Sequence, residues 1–114
     1  MDKHSEELQA YKSRQKDIFE NKVKHGFNIT DPYQEVRYIV EEVGELMRAI
    51  EKHDIDNVAE ELSDIVIFSY GLAEMTGAGD LDAKIFEKMK INASRKYIKT
   101  KEGDFVKVEG EQNE

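Results

Sequence analysis

Residues 36–50, VRYIVEEVGELMRAI, decide how this chain folds. Val36, Ile39, Val40, Val43, Leu46, Met47 and Ile50 recur at steps of three and four, and on a helix they fall within roughly 120° of arc. Glu42 borders that arc, Glu45 lies one step further round, and Glu41 points nearly opposite. The stretch predicts an amphipathic helix carrying acids at the edge of its buried face. Residues 60–68, EELSDIVIF, repeat the theme. Glu61 and Asp64 stand three apart, on one helical stripe like Glu42 and Glu45. The run after them, residues 65–68, is apolar on every side, the mark of a helix buried on more than one face.

Working outward, the other breaks follow from cap chemistry. Asp31-Pro32-Tyr33-Gln34 reads as a helix start, with Asp as cap, Pro in the first turn and Gln closing a capping box. That helix is expected over about residues 32–52, and the next over about 57–75, capped by Asp56 and stopped by Gly77. Before them, about residues 5–24 form a first helix, with Leu8, Tyr11, Ile18, Phe19 and Val23 as its less polar positions and Gly26 as its stop. After them, Asp80 caps a fourth helix over about residues 81–97. The chain is therefore expected to be all-α, a small four-helix bundle spanning residues 1–97. Residues 98–114 form a short extension, either a hairpin or a frayed tail. A thin bundle cannot cover the all-round apolar run at 65–68, so the subunit is expected to pack against another.

Acids crowded on one helical stripe repel. Two such stripes facing each other would be worse unless a cation sits between them. An oxygen-only ligand set suits Mg²⁺, with Mn²⁺ as a substitute, whereas zinc recruits His or Cys. A divalent metal held by carboxylates, with no protein nucleophile beside it, points to metal-assisted phosphate chemistry. A lone Glu-x-x-Glu in a chain that is 37% charged usually marks a solvated face. Two of them on consecutive helices, each beside an apolar stripe, make the stronger case.

Composition narrows the classes. The 114 residues fit one domain, and the net charge of −8 with a pI near 4.9 opposes nucleic-acid binding and anionic membranes. A nucleotide substrate stays open, because a metal inverts the charge locally. Cysteine is absent, which removes disulfides, thiol catalysis and zinc-thiolate sites. The amino terminus is too polar for a signal peptide and no apolar run reaches membrane-spanning length, so a cytoplasmic protein is expected.

Glu41-Glu42-x-x-Glu45, followed after fifteen residues by Glu61-x-x-Asp64, resembles the signature of the all-α nucleotide pyrophosphohydrolases, the MazG-like superfamily. Residues 43–46 continue the first motif in the family's style, residues 61–67 resemble its second, and residues 88–97 resemble its closing basic helix. The resemblance implies Glu42, Glu45, Glu61 and Asp64 as ligands of Mg²⁺. It implies cleavage of a nucleoside triphosphate between the α and β phosphates, giving a monophosphate and pyrophosphate, and a homodimer or homotetramer. Glu41, or whichever of the four is least committed to metal, would accept a proton from water. Lys88, Asn92 and Arg95 recur at four and three residues on one stripe of the fourth helix and would bind phosphate oxygens. Arg48 is expected on the solvent side of the second helix. Phe19, Phe27, Tyr33 and Tyr38 are the aromatics near enough to stack on a base. A di-iron bundle would use Glu-x-x-His pairs, which do not occur here. The remaining rival is non-enzymatic: a catalytically silent MazG-like module that binds a partner.

Overall fold

The computed structural model describes residues 3–108, with side chains from residue 14 onward. Leu8 and Tyr11 therefore lie outside the described side chains, and residues 109–114 of the expected extension lie outside the described residues. The chain divides into two compact units, one running to Leu81 and the other starting at Asp82.

The first unit holds three helices: α1 (Lys3–Lys24), α2 (Pro32–Glu51) and α3 (Ile55–Thr76). Helix α3 packs against both α1 and α2. Asp31 caps α2 through its side chain, which accepts from the amides of Tyr33 and Gln34 at 3.1 and 3.3 Å. The expected capping box is only half made. Gln34 Nε2 donates to the Tyr38 hydroxyl instead. Asn28 Oδ1 accepts from the Asp31 amide at 3.1 Å, so the loop supplies the partner that Gln34 does not.

A short connection joins α2 to α3. His53 sits there at φ 56°, a left-handed conformation that costs a residue with a Cβ roughly 1–2 kcal/mol. Helix α3 begins earlier than its sequence suggests. Asp54, not Asp56, is the cap, with its Oδ1 accepting from the Asn57 amide at 3.2 Å. Gly77 ends the helix as expected, at φ 72°, its amide donating to the carbonyls of Ala73 and Glu74. Gln15 ties α1 to the far end of α3. Its Nε2 donates to Glu74 Oε2 and the Gly79 carbonyl, and its Oε1 accepts from the Leu81 amide.

The interior is small and unusually polar. Among the described residues, Ala49, Tyr70 and Ala73 are the buried apolar side chains, beside buried Gln15, Lys22, Glu35 and Glu61. The apolar arc of α2 does not all face inward. Ile39 and Leu46 are half-buried, in phase with buried Glu35 and Ala49. Val36, Val40, Val43, Met47 and Ile50 are 42–63% exposed, so five of the arc's seven residues lie uncovered in this subunit.

The second unit holds α4 (Leu81–Ser94) and an antiparallel hairpin of β1 (Tyr97–Lys99) and β2 (Phe105–Lys107). The expected fourth helix stops short: Arg95 lies past its end and Tyr97 opens a strand. The residues after Ser94 are more β-prone, and the Tyr97–Lys107 pairing claims their backbone groups.

Candidate functional site

Glu42 sits on the inner stripe of α2, seven residues after buried Glu35 and seven before buried Ala49, so the helix carries it toward α3. On α3, Glu61 is buried. Carboxylate oxygens of Glu42, Glu45 and Glu61 all lie within 4.8 Å of one another. Glu45 is the exposed member. Asp64 lies one turn along α3, outside that tight group, at the edge of a shallow recess with Ala59, Glu60 and Ser63. Its charge still reaches Glu42. Glu41 is exposed and outside the cluster.

The electrostatics are those of acids held too close. The Glu42 carboxyl is pushed up from 4.5 to about 7, first by its hydrogen bond with Glu61, then by burial and by the charges of Glu45, Glu61 and Asp64. Glu42 Oε2 and Glu61 Oε2 are buried without any hydrogen-bond donor. Buried carboxylate oxygens are costly to leave unpaired. An oxygen-liganded divalent cation would satisfy both atoms and neutralise the cluster, so these residues fit Mg²⁺ or Mn²⁺.

Two cavities bear on the site, and the acids line one of them. One is a polar cleft of about 330 Å³ that includes Glu45 and Glu61 together with Arg48, Lys52 and Asn57. Arg48 is exposed, as expected, yet it borders the acids rather than facing away from them. The other, about 600 Å³, opens between α1 and α3. Ile18, Phe27, Ile67 and Phe68 form its apolar wall, and Lys22 and Asn21 are among its polar residues. The Phe68 ring packs on Tyr38 with centroids 5.6 Å apart. Phe68 follows Asp64 by one helical turn and Tyr38 precedes Glu42 by one, a rise of about 6 Å along each axis. Phe68 thus stands about two turns of α3 from Glu61, and no acid of the cluster lines this cavity.

Of the aromatics singled out from sequence, Phe27 borders this cavity and Tyr38 backs it. Tyr33 borders a separate apolar groove with Val36 and Leu72. Phe19 is half-buried and borders neither. In the second unit, Lys88 and Asn92 lie four residues apart on α4, with Arg95 just beyond it. Asn92 Oδ1 accepts from the Tyr97 hydroxyl at 3.3 Å, and Arg95 Nε is buried without a partner.

Sequence reasoning missed Lys22 and Glu35, which form a buried ion pair. A signal for Glu35 was present: it stands four residues before Ile39 and seven before Glu42, in phase with the inner face.

An oxygen-rich cluster built from consecutive helices, opening on a polar cleft, is a layout suited to a helical metal-dependent hydrolase. The comparisons agree. Residues 31–101 match the family described as the MazG nucleotide pyrophosphohydrolase domain, and the chain belongs to that family. Members are in general nucleotide pyrophosphohydrolases, so a hydrolase with a nucleotide substrate is the class defined here. No curated protein and no solved structure was found to match.

Proposed function

We propose that this chain is a magnesium-dependent nucleoside triphosphate pyrophosphohydrolase, cleaving between the α and β phosphates to give a monophosphate and pyrophosphate, in the upkeep of the nucleotide pool. The observation that carries this reading is the meeting of Glu42, Glu45 and Glu61 with buried, donor-less oxygens, in a chain of the MazG family. A divalent ion bound there supplies charge neutralisation for the leaving pyrophosphate and acidifies a bound water. Glu42, Glu45 and Glu61 hold it, and Asp64 completes the set from the next turn of α3. Glu41, or whichever of the four is least committed to metal, would accept the water's proton. Lys88, Asn92 and Arg95 carry the phosphate-binding role in this reading, with donors suited to phosphate oxygens.

The nucleobase would enter the cavity between α1 and α3. Its volume suits a small ligand, and its wall of Phe27 and Phe68 gives the flat apolar faces that stacking needs. The subunit is read as a homodimer or homotetramer. Val36, Val40, Val43, Met47 and Ile50 alternate at four- and three-residue steps along an exposed stripe, the pattern of a helix–helix seam. On α3, Val66 and Ile67 are 48% and 46% exposed, which adds to the uncovered surface. A cytoplasmic location belongs to the same reading; among the described residues no helix is long and apolar enough to cross a membrane.

The test is product analysis on a panel of canonical, deoxy and damaged nucleotides, with and without Mg²⁺. Monophosphate and pyrophosphate are expected in equal amounts, with Asp64→Asn inactive but folded. Orthophosphate with a diphosphate product would mean a different reaction. Full activity in Asp64→Asn would place the site elsewhere. No turnover on any nucleotide would favour a silent partner-binding module.

A further inference from the structure

Lys22 is the most deliberately placed side chain that the metal chemistry leaves unused. It is 8% exposed, and its Nζ donates to Glu35 Oε1 at 2.5 Å. Glu35 is wholly buried, and its other oxygen accepts from Asn28 Nδ2 at 2.8 Å. The Lys22 stem crosses α3 at Gly71, where an added Cβ would come within 3.1 Å of Cδ. Helix α1, helix α2, the intervening loop and a bare patch of α3 all position one ammonium group.

Lys22 is one of the residues that line the cavity between α1 and α3, with Phe27 and Phe68, Arg14 and Asp17. An ammonium has three N–H donors, and Glu35 takes one of them. The pair is charge-balanced, yet apolar side chains of the same volume are often at least as stabilising, so stability alone does not call for charge here. A fixed, buried donor on a residue lining an aromatic slot has a plain chemical use: it rewards a ligand acceptor and penalises a ligand donor.

We propose that Lys22 is a specificity-determining residue that donates to a carbonyl oxygen on the nucleobase edge, so that keto bases are preferred over their amino counterparts. This rests on the nucleotide reading above. Uracil and hypoxanthine present an oxygen where cytosine and adenine present an amino group, which would set donor against donor at Lys22. Glu35 holds the ammonium in place, and Asn28 holds Glu35.

The experiment measures kcat/KM for UTP against CTP and ITP against ATP. In parallel, metal-free binding of uridine, cytidine, inosine and adenosine is followed by NMR titration. The wild-type protein is expected to favour the keto member of at least one pair tenfold or more. The double variant Lys22→Met with Glu35→Leu removes both charges, and Asn28 Nδ2 keeps its bond to the Asp31 carbonyl. It should bring that ratio close to one through a higher KM for the keto member alone. Gly71→Ala, which presses on the Lys22 stem without altering its charge, should move the ratio the same way and serves if the double variant does not fold. Equal losses on both members, an unchanged ratio, or a wild-type preference for amino bases would overturn the proposal. Pyrophosphate release with a Lys22-independent ratio would sink this inference and spare the reaction. A Lys22-dependent preference in nucleoside binding, with no pyrophosphate from any triphosphate, would do the reverse.

Discussion

Replacing Glu45 by glutamine should stabilise the metal-free protein, although it removes a residue assigned to the active site. Carboxylate oxygens of Glu42, Glu45 and Glu61 lie within 4.8 Å of one another. Two unit charges at that separation repel by about 3 kcal/mol at an effective dielectric constant of 20, and by about 1 kcal/mol in bulk water. Glu45 is exposed, so the lower figure applies, roughly 1 kcal/mol. In a domain of this size that raises Tm by about 3–6 °C. The gain is largest near pH 8, where Glu42 is ionised, and shrinks below about pH 6, where the raised pKa leaves Glu42 protonated and one repelling charge is gone. Millimolar Mg²⁺ reverses the order, because the ion stabilises the folded wild type and Glu45→Gln has lost a ligand. Thermal melts followed by circular dichroism, at both pH values and with and without Mg²⁺, read all of this. A metal-free Tm at pH 8 equal to or below wild type would refute the reasoning, as would an equal Mg²⁺-induced rise in both proteins.

Four further outcomes are expected. Because Glu42 holds its proton more tightly folded than unfolded, the stability it contributes is fully present below pH 4.5 and is lost as pH rises through about 7. Metal-free Tm should therefore fall across that window, and Glu42→Gln should flatten the fall. Val40→Asp with Met47→Asp places charges on the exposed stripe of α2 and should yield a monomer in sedimentation equilibrium where the parent is a dimer or tetramer. Arg48→Ala and Lys52→Ala, in the cleft with Glu45 and Glu61, should raise KM for the triphosphate several-fold, whereas Arg37→Ala, in an exposed pair 3.9 Å from Asp31, should not. His53→Gly relieves the left-handed strain between α2 and α3 and should gain about 0.5–1 kcal/mol in a denaturant titration.

Local signals carried the helices well and their ends less well. Gly77 stops α3 because a left-handed cap needs a residue without a Cβ, a requirement that one residue type states by itself. The start of α3 was misjudged because Asp54 and Asp56 are equally good caps by type, and the choice depends on how the short connection leaves α2. The end of α4 was misjudged because cross-strand pairing of Tyr97 with Lys107 is non-local, and no helical period reports it. Gln34 had the right identity for a capping box, but Tyr38 and Asn28 offered competing partners that only the folded loop brings near.

By itself, the sequence determined the kind of protein: mostly helical, acidic, cysteine-free, with two carboxylate pairs in phase with apolar stripes on consecutive helices. Those properties are periodic and compositional, so they survive without coordinates. Tertiary structure decided which acids meet, because the facing of two helices depends on their rotation and offset, and a rise of one turn leaves Asp64 outside the group that takes in Glu45. It decided that most of the α2 arc stays bare, since periodicity names an apolar face but not its partner. Packing also joined Lys22 to Glu35 across thirteen residues and laid the lysine stem over Gly71. Burying such a pair takes the meeting of α1, α2 and α3, and that meeting is a property of three elements together rather than of any one stretch of chain.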